Sequence, residues 1–191
     1  MNKHTIYVDY DSTMNALAHD WLVWANHNFN TNYSLEDVTD WYWYNNNFTE
    51  EIFDYFKIAY DIKHKFSVKP LEESREFFKW VSTRYNTYIL TSTHPNEKLR
   101  EDKEFHINYH YNTDAVIHEH HKYKYSGINK VLVDDRLHNI LLWVLKGGIG
   151  IHYNHNNEYR YNEECNLEHD NLYYAYNYDQ VKDIIKGLDC E

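Results

Sequence analysis

A set of short, β-branched apolar runs, most of them closing on a polar residue, constrains this chain more than any other feature. Thr5-Ile6-Tyr7-Val8 ends at Asp9, Thr87-Tyr88-Ile89-Leu90 ends at Thr91, and Lys130-Val131-Leu132-Val133 ends at Asp134. Ala115-Val116-Ile117 is a weaker run of the same kind, and Gly148-Ile149-Gly150-Ile151-His152 can supply a fifth. Runs this short, without polar alternation, suit strands buried on both faces, as in a parallel sheet. Helical spacing fills the intervals. Residues 70–85 open with Pro70 and set Leu71, Phe77, Phe78 and Val81 along one stripe. Residues 136–146 place Leu137, Ile140, Leu141 and Val144 on one face and stop at Gly147-Gly148. The alternation predicts an α/β fold, a Rossmann-like parallel sheet flanked by helices and joined by right-handed crossovers.

One interval is too long for a crossover. About 60 residues without a strand signal separate the first run from the helix at residue 70. Within them, residues 14–29 and 49–60 have helical character, and Ser34-Leu35-Glu36-Asp37 fits a capping box before Val38 and Trp41. This predicts a small helical cap, residues 15–66, inserted after the first strand into a core made of residues 1–14 and 67–191. Such an insert hangs over the carboxyl end of the sheet, where open α/β folds bind ligands.

Charge and composition narrow the partners. Nineteen Lys+Arg against thirty Asp+Glu leave a net charge of −11, which argues against a nucleic-acid polymer, because Lys and Arg supply most of that affinity. A small phosphorylated ligand stays open, since a few cations in one cleft can oppose the global charge. The 18% aromatic content explains how 42% hydrophobic residues coexist with a mean hydropathy of −0.84. No apolar run approaches the ~20 residues a membrane helix needs, and no signal-like segment precedes the first strand. Cys165 and Cys190 form neither a disulfide framework nor a metal spacing. The expected compartment is the cytoplasm, or a host's cytoplasm if the gene is phage-borne, which the Asn/Tyr/Lys-rich composition would suit. A homodimer is left open.

In a parallel sheet the strand ends converge, so Asp9-Tyr10-Asp11, Thr91-Ser92, Lys124 and Asp134-Asp135 are expected in one crevice. Clustered carboxylates repel unless a cation holds them together. Hard oxygen ligands select Mg²⁺, typically held by one or two carboxylates plus phosphate and water. A lysine there neutralises phosphate oxygens, and an aspartate lacking any Ser–His pair can itself attack. The residues point to Mg²⁺-assisted phosphoryl transfer.

Asp-x-Asp after the first strand, Thr at the end of the second, Lys after the weaker third and before the strand at 130–133, and Asp-Asp at the end of that strand resemble the haloacid dehalogenase-like (HAD) hydrolases. Receiver domains use similar residues in a different order. Lys124 ten residues before Asp134, Val133-Asp134-Asp135-Arg136, Asn139, Trp143 and Gly147 through His152 resemble the 5′(3′)-deoxyribonucleotidase branch, phage and bacterial members included. Residues 32–41 resemble that branch's cap, and the resemblance covers most of residues 4–153. It implies Asp9 as nucleophile and Asp11 as acid and then base, with Thr91 on the phosphate and Lys124 bridging phosphate and nucleophile. It implies Mg²⁺ on Asp134, Asp9 and the Asp11 carbonyl, with Asp135 supporting that shell. Ser92, Trp41, Trp43 and Arg136 are the candidate substrate contacts, the tryptophans by stacking on a base. Lys122 competes with Lys124, and the spacing to Asp134 selects Lys124. Ser12-Thr13 stands where many members have glycine, and Thr93-His94-Pro95 departs from the usual phosphate loop.

Each signal also has a plainer reading. Asp134-Asp135-Arg136 can cap a helix, and the aromatic run at 41–44 can be cap core. His118-Glu119-His120-His121 lacks a matching zinc spacing, and Gly147-Gly148-Ile149-Gly150 lacks the Lys-Ser/Thr of a P-loop. The expected activity is a Mg²⁺-dependent phosphomonoesterase acting on nucleoside monophosphates. The alternatives are a phosphatase for another small phosphate, such as a sugar phosphate, or an inactive binding module.

Overall fold

The structure is a computed structural model that describes residues 4–39, 43, 47–48, 52–155 and 169–190. Six strands form one sheet: β1 (Thr5–Val8), β2 (Asn86–Thr91), β3 (Val116–His118), β4 (Lys130–Asp134), β5 (Ile149–Tyr153) and β6 (Leu172–Ala175). Their order is β3-β2-β1-β4-β5-β6, and every pair is parallel. The helices are α1 (Leu17–Phe29), α2 (Ile52–Ala59), α3 (Ser74–Ser82), α4 (Glu97–Tyr111), α5 (Leu137–Leu145) and α6 (Tyr178–Leu188). Single 3₁₀ turns occupy Leu35–Asp37 and Lys122–Tyr125. The sixth strand and α4 are additions to what the sequence pattern predicts.

Strand alternation divides the core into two layers. Ile6, Val8, Val131 and Val133 face one way and pack with Phe77 and Val81 of α3 and Val181 and Ile185 of α6. Tyr7, Leu90 and Leu132 face the other way, onto Ile140 and Trp143 of α5. Covering both faces is what lets the strands read as unbroken apolar runs. Helix α5 ends where Gly147 takes φ +84°, and Gly148 then passes so close to Trp143 that a Cβ would lie 2.3 Å from its Nε1. Both glycines of the stop are therefore required, one for conformation and one for space.

The strand order reverses between β1 and β4, and the crevice outside the carboxyl ends at such a switch point is the natural ligand site. The chain leaves the sheet after β1 and returns to it before α3. The outgoing and returning segments pair: Ala16 N–H donates to Lys69 O at 2.8 Å, Leu71 N–H to Met14 O at 3.0 Å, and Asn15 bridges Pro70 in antiparallel register. The buried Asp20 of α1 reinforces this junction by accepting from Lys69 N–H at 2.8 Å. Among the described residues, no helix is long and apolar enough to cross a membrane.

Candidate active site

Asp9 follows β1 directly, and its N–H still donates to Val133 O of β4 at 2.8 Å. Asp134 is the last residue of β4 and Asp135 the next. The sheet thus delivers three buried aspartates to one point, with one oxygen from each lying within 4.8 Å of the others. The lysine that meets them is Lys122, not Lys124. Lys122 Nζ lies 2.7 Å from Asp9 Oδ1 and 2.7 Å from Asp134 Oδ2, with its side chain 2% exposed. Lys124 Nζ instead lies 3.0 Å from Glu119 Oε2 and is 52% exposed. Both sit on the same 3₁₀ turn, where about three residues complete a turn, so positions two apart face different directions.

Three buried carboxylates share one ammonium, and the electrostatics register the excess. Burial pushes the Asp9 carboxyl up to about 6, against the pull of Lys122, with Asp134 and Asp11 adding to the rise. Burial and the charges of Asp134 and Asp9 raise Asp135 likewise. Burial works against the Lys122 ammonium, but the charges of Asp134 and Asp9 outweigh it and hold its pKa above the ordinary lysine value.

The two neighbouring aspartates have different duties. Asp134 is engaged on both oxygens: Oδ1 accepts from Arg136 N–H at 2.8 Å, Oδ2 from Lys122, and Asn139 Nδ2 reaches both. Asp135 accepts from the Thr13 hydroxyl at 3.2 Å through Oδ1, while its buried Oδ2 has no hydrogen-bond partner among the described residues. Asp135 therefore offers a cation the freer oxygen, whereas the resemblance assigns Asp134 that place. A buried, all-oxygen set with surplus negative charge and an unpartnered carboxylate oxygen fits a hard divalent cation.

Asp11 lies on the crevice wall, and its carboxylate is not one of the three that converge. It accepts from Asn15 Nδ2 at 3.0 Å, from Tyr60 OH at 2.9 Å and from Lys103 Nζ at 2.5 Å. Ser12 next to it holds φ +57° without being glycine, its N–H donating to Asn15 Oδ1 at 3.2 Å. Thr91 closes β2 across from Asp11, and the Ser92 hydroxyl bonds to His120 Nδ1. The crevice has a volume of about 380 Å³, in the range of small-molecule sites. Asp9, Asp11, Thr91, Ser92, Lys103, Lys122 and Asp135 line it together with Arg136, Asn139, Leu17, Phe56 and Tyr60.

Trp43 does not border this crevice. It is buried, edge-on against Tyr33 at 5.0 Å between ring centres, and it packs with Phe48. Trp41 lies outside the described residues. Among the described residues, Phe56 and Tyr60 are the phenyl and phenol rings that border the crevice. The histidines at 118–121 are divided among separate partners: His118 joins Thr93 and Glu104, and His120 joins Ser92. Sequence reasoning missed Lys103 altogether. Its signal was a lysine in register with Leu99 and Ile107, on the buried stripe of α4.

No protein-family model matches the chain, and no curated protein sequence matches it significantly. Solved structures match its fold across nearly their whole length. A HAD family hydrolase from Deinococcus radiodurans, solved with phosphate and sodium, is 8% identical with a TM-score of 0.61, over 98% of this chain and 97% of that one. A haloacid dehalogenase-like hydrolase from Xanthomonas campestris is 12% identical with a TM-score of 0.58, over 98% and 96%. The magnesium-bound YfnB of Bacillus subtilis is 10% identical with a TM-score of 0.58, over 95% and 98%. At these identities the likeness is one of fold: the chain has the architecture of the HAD-like hydrolases.

Proposed function

We propose that the chain is a Mg²⁺-dependent phosphomonoesterase of HAD type, acting on (deoxy)ribonucleoside monophosphates through an aspartyl-phosphate. The observation that carries this reading is the meeting of Asp9, Asp134 and Asp135 around Lys122, facing Asp11 and Thr91 across one crevice. Asp9 and Asp135, with Asp134 beside them, would hold Mg²⁺, and the bound ion supplies positive charge against the phosphate oxygens. Lys122 donates to Asp134 and makes an ion pair with Asp9, and an ammonium has three N–H groups, so at least one is left for a phosphate oxygen. The Thr91 hydroxyl holds another.

An Asp9 oxygen attacks phosphorus as the ester P–O bond breaks, and Asp11 gives a proton to the departing oxygen. Asp11 then takes a proton from water as that water attacks phosphorus, releasing inorganic phosphate and the Asp9 carboxylate. Phe56 replaces Trp43 as the ring placed to stack on a base.

Two outcomes are expected. Chelation with EDTA should reduce phosphate release to background, and added Mg²⁺ should restore it; full activity in chelator would refute the metal site. A panel of 5′- and 3′-nucleoside monophosphates and sugar phosphates, read by phosphate release, should favour the deoxynucleotides. Release from sugar phosphates alone would keep the chemistry and discard the nucleotide, and silence toward every ester would favour a binding module.

A further inference from the structure

Helix α4 (Glu97–Tyr111) buries Leu99, Lys103, His106, Ile107 and Tyr111. The lysine lines the crevice while its side chain is only 1% exposed. Its Nζ lies 2.5 Å from Asp11 Oδ2, 2.7 Å from Thr91 Oγ1 and 2.9 Å from Ser92 O. The ring of Tyr60, 5.3 Å away, shields the cation. An ammonium has three N–H donors and no acceptor, so Lys103 is saturated: it cannot bind a phosphate oxygen without releasing one of these partners. Lys122, which donates to Asp134 and forms an ion pair with Asp9, differs from it in this respect.

Saturation has a directional consequence. Because Lys103 can only donate, Thr91 Oγ1 must accept from it, and the hydroxyl hydrogen is left for another acceptor. The acceptor it has within the protein, Ser92 O, is 3.4 Å away, a weak bond by length. A phosphate oxygen entering the crevice would meet Thr91 as a donor. The same ammonium fixes the Asp11 carboxylate against the end of β2.

We propose that Lys103 is the positioning residue of this site, setting Thr91 as the phosphate donor and orienting Asp11 for proton transfer. The proposal rests on the phosphomonoesterase reading above. Its test is a double-mutant cycle with Lys103→Met and Thr91→Val, using inorganic phosphate as the binding probe in calorimetry. Lys103→Met should weaken phosphate binding about tenfold with Thr91 present and less than about twofold in the Thr91→Val background, the coupling expected of groups in contact. Turnover supplies a second reading. On an alkyl phosphate ester, kcat should fall about 100-fold, the scale of a general acid, whereas on p-nitrophenyl phosphate, whose leaving group needs no proton, it should fall less than about tenfold.

Equal losses on both esters, or additive effects in the cycle, would reduce Lys103 to a structural lysine and overturn the proposal. Should Lys103→Met fail to fold, Lys103→Gln, which keeps a polar donor of similar length, takes its place in the same cycle. A wild-type protein that binds phosphate but turns over no ester would refute the phosphatase reading, while the Thr91 half of the proposal would still be decided by calorimetry.

Discussion

Replacing Asp9 with asparagine should abolish phosphate release, by at least about 10⁴-fold, because the attacking oxygen is lost and no neighbour can replace it. The same change should leave the fold intact. With no divalent cation bound, the Asp9 carboxyl is pushed from 3.8 up to about 6 by burial, so the folded protein binds the extra proton between those values. Its contribution is most favourable below the lower value and is lost as pH rises through the upper one. Asparagine removes that penalty. In metal-free buffer at pH 7, Asp9→Asn should therefore melt at or above the temperature of the parent, and the difference should shrink as the pH is lowered toward 4. Comparable turnover by the variant would remove Asp9 from the nucleophile's role, and a large loss of Tm would show that the carboxylate serves the fold.

The second large effect separates two lysines that are nearly adjacent in sequence. Lys122→Met should cost about 3–5 kcal/mol, because it strands buried carboxylates without their cation, and it should remove activity. Lys124→Met breaks a solvent-exposed pair with Glu119 and should leave the urea midpoint almost unchanged, with activity retained. Urea unfolding and phosphate release measured on both variants decide the matter. A silent Lys122→Met beside a damaged Lys124→Met would restore the spacing argument over the geometric one.

That pair also shows where the chain can be read and where it cannot. The apolar runs locate β1, β2, β3, β4 and β5, because a strand buried on both faces must be written in apolar residues. Their polar endings then locate Asp9, Thr91, Asp134 and Asp135 by topology alone. Choosing between Lys122 and Lys124 needs the rotation of a single 3₁₀ turn, which spacing along the chain does not encode. Helix α4 escaped because two of its buried positions are Lys103 and His106, polar residues satisfied by Asp11, Thr91, Tyr10 and Val68; its apolar stripe is broken where it is most functional. Strand β6, Leu172–Ala175, is short and half-buried at the sheet's edge, so it lacks the run that marks the others. Trp43 could stack on a ligand or pack among aromatic neighbours, and only its contact with Tyr33 separates the two.

The paired backbone at Asn15 and Pro70 has an evolutionary and an engineering meaning. The excursion between β1 and α3 begins and ends at neighbouring points, so its length scarcely alters the separation the sheet must tolerate, and loop-closure entropy grows slowly with length. The sheet, with its aspartates and lysines, is in this sense a socket. What is plugged in at 16–69 can be shortened, exchanged or grafted from elsewhere with little strain on the strands beneath. Selection could thus retune what the crevice admits so long as Tyr60, whose hydroxyl holds Asp11, is kept, and a designer could do the same.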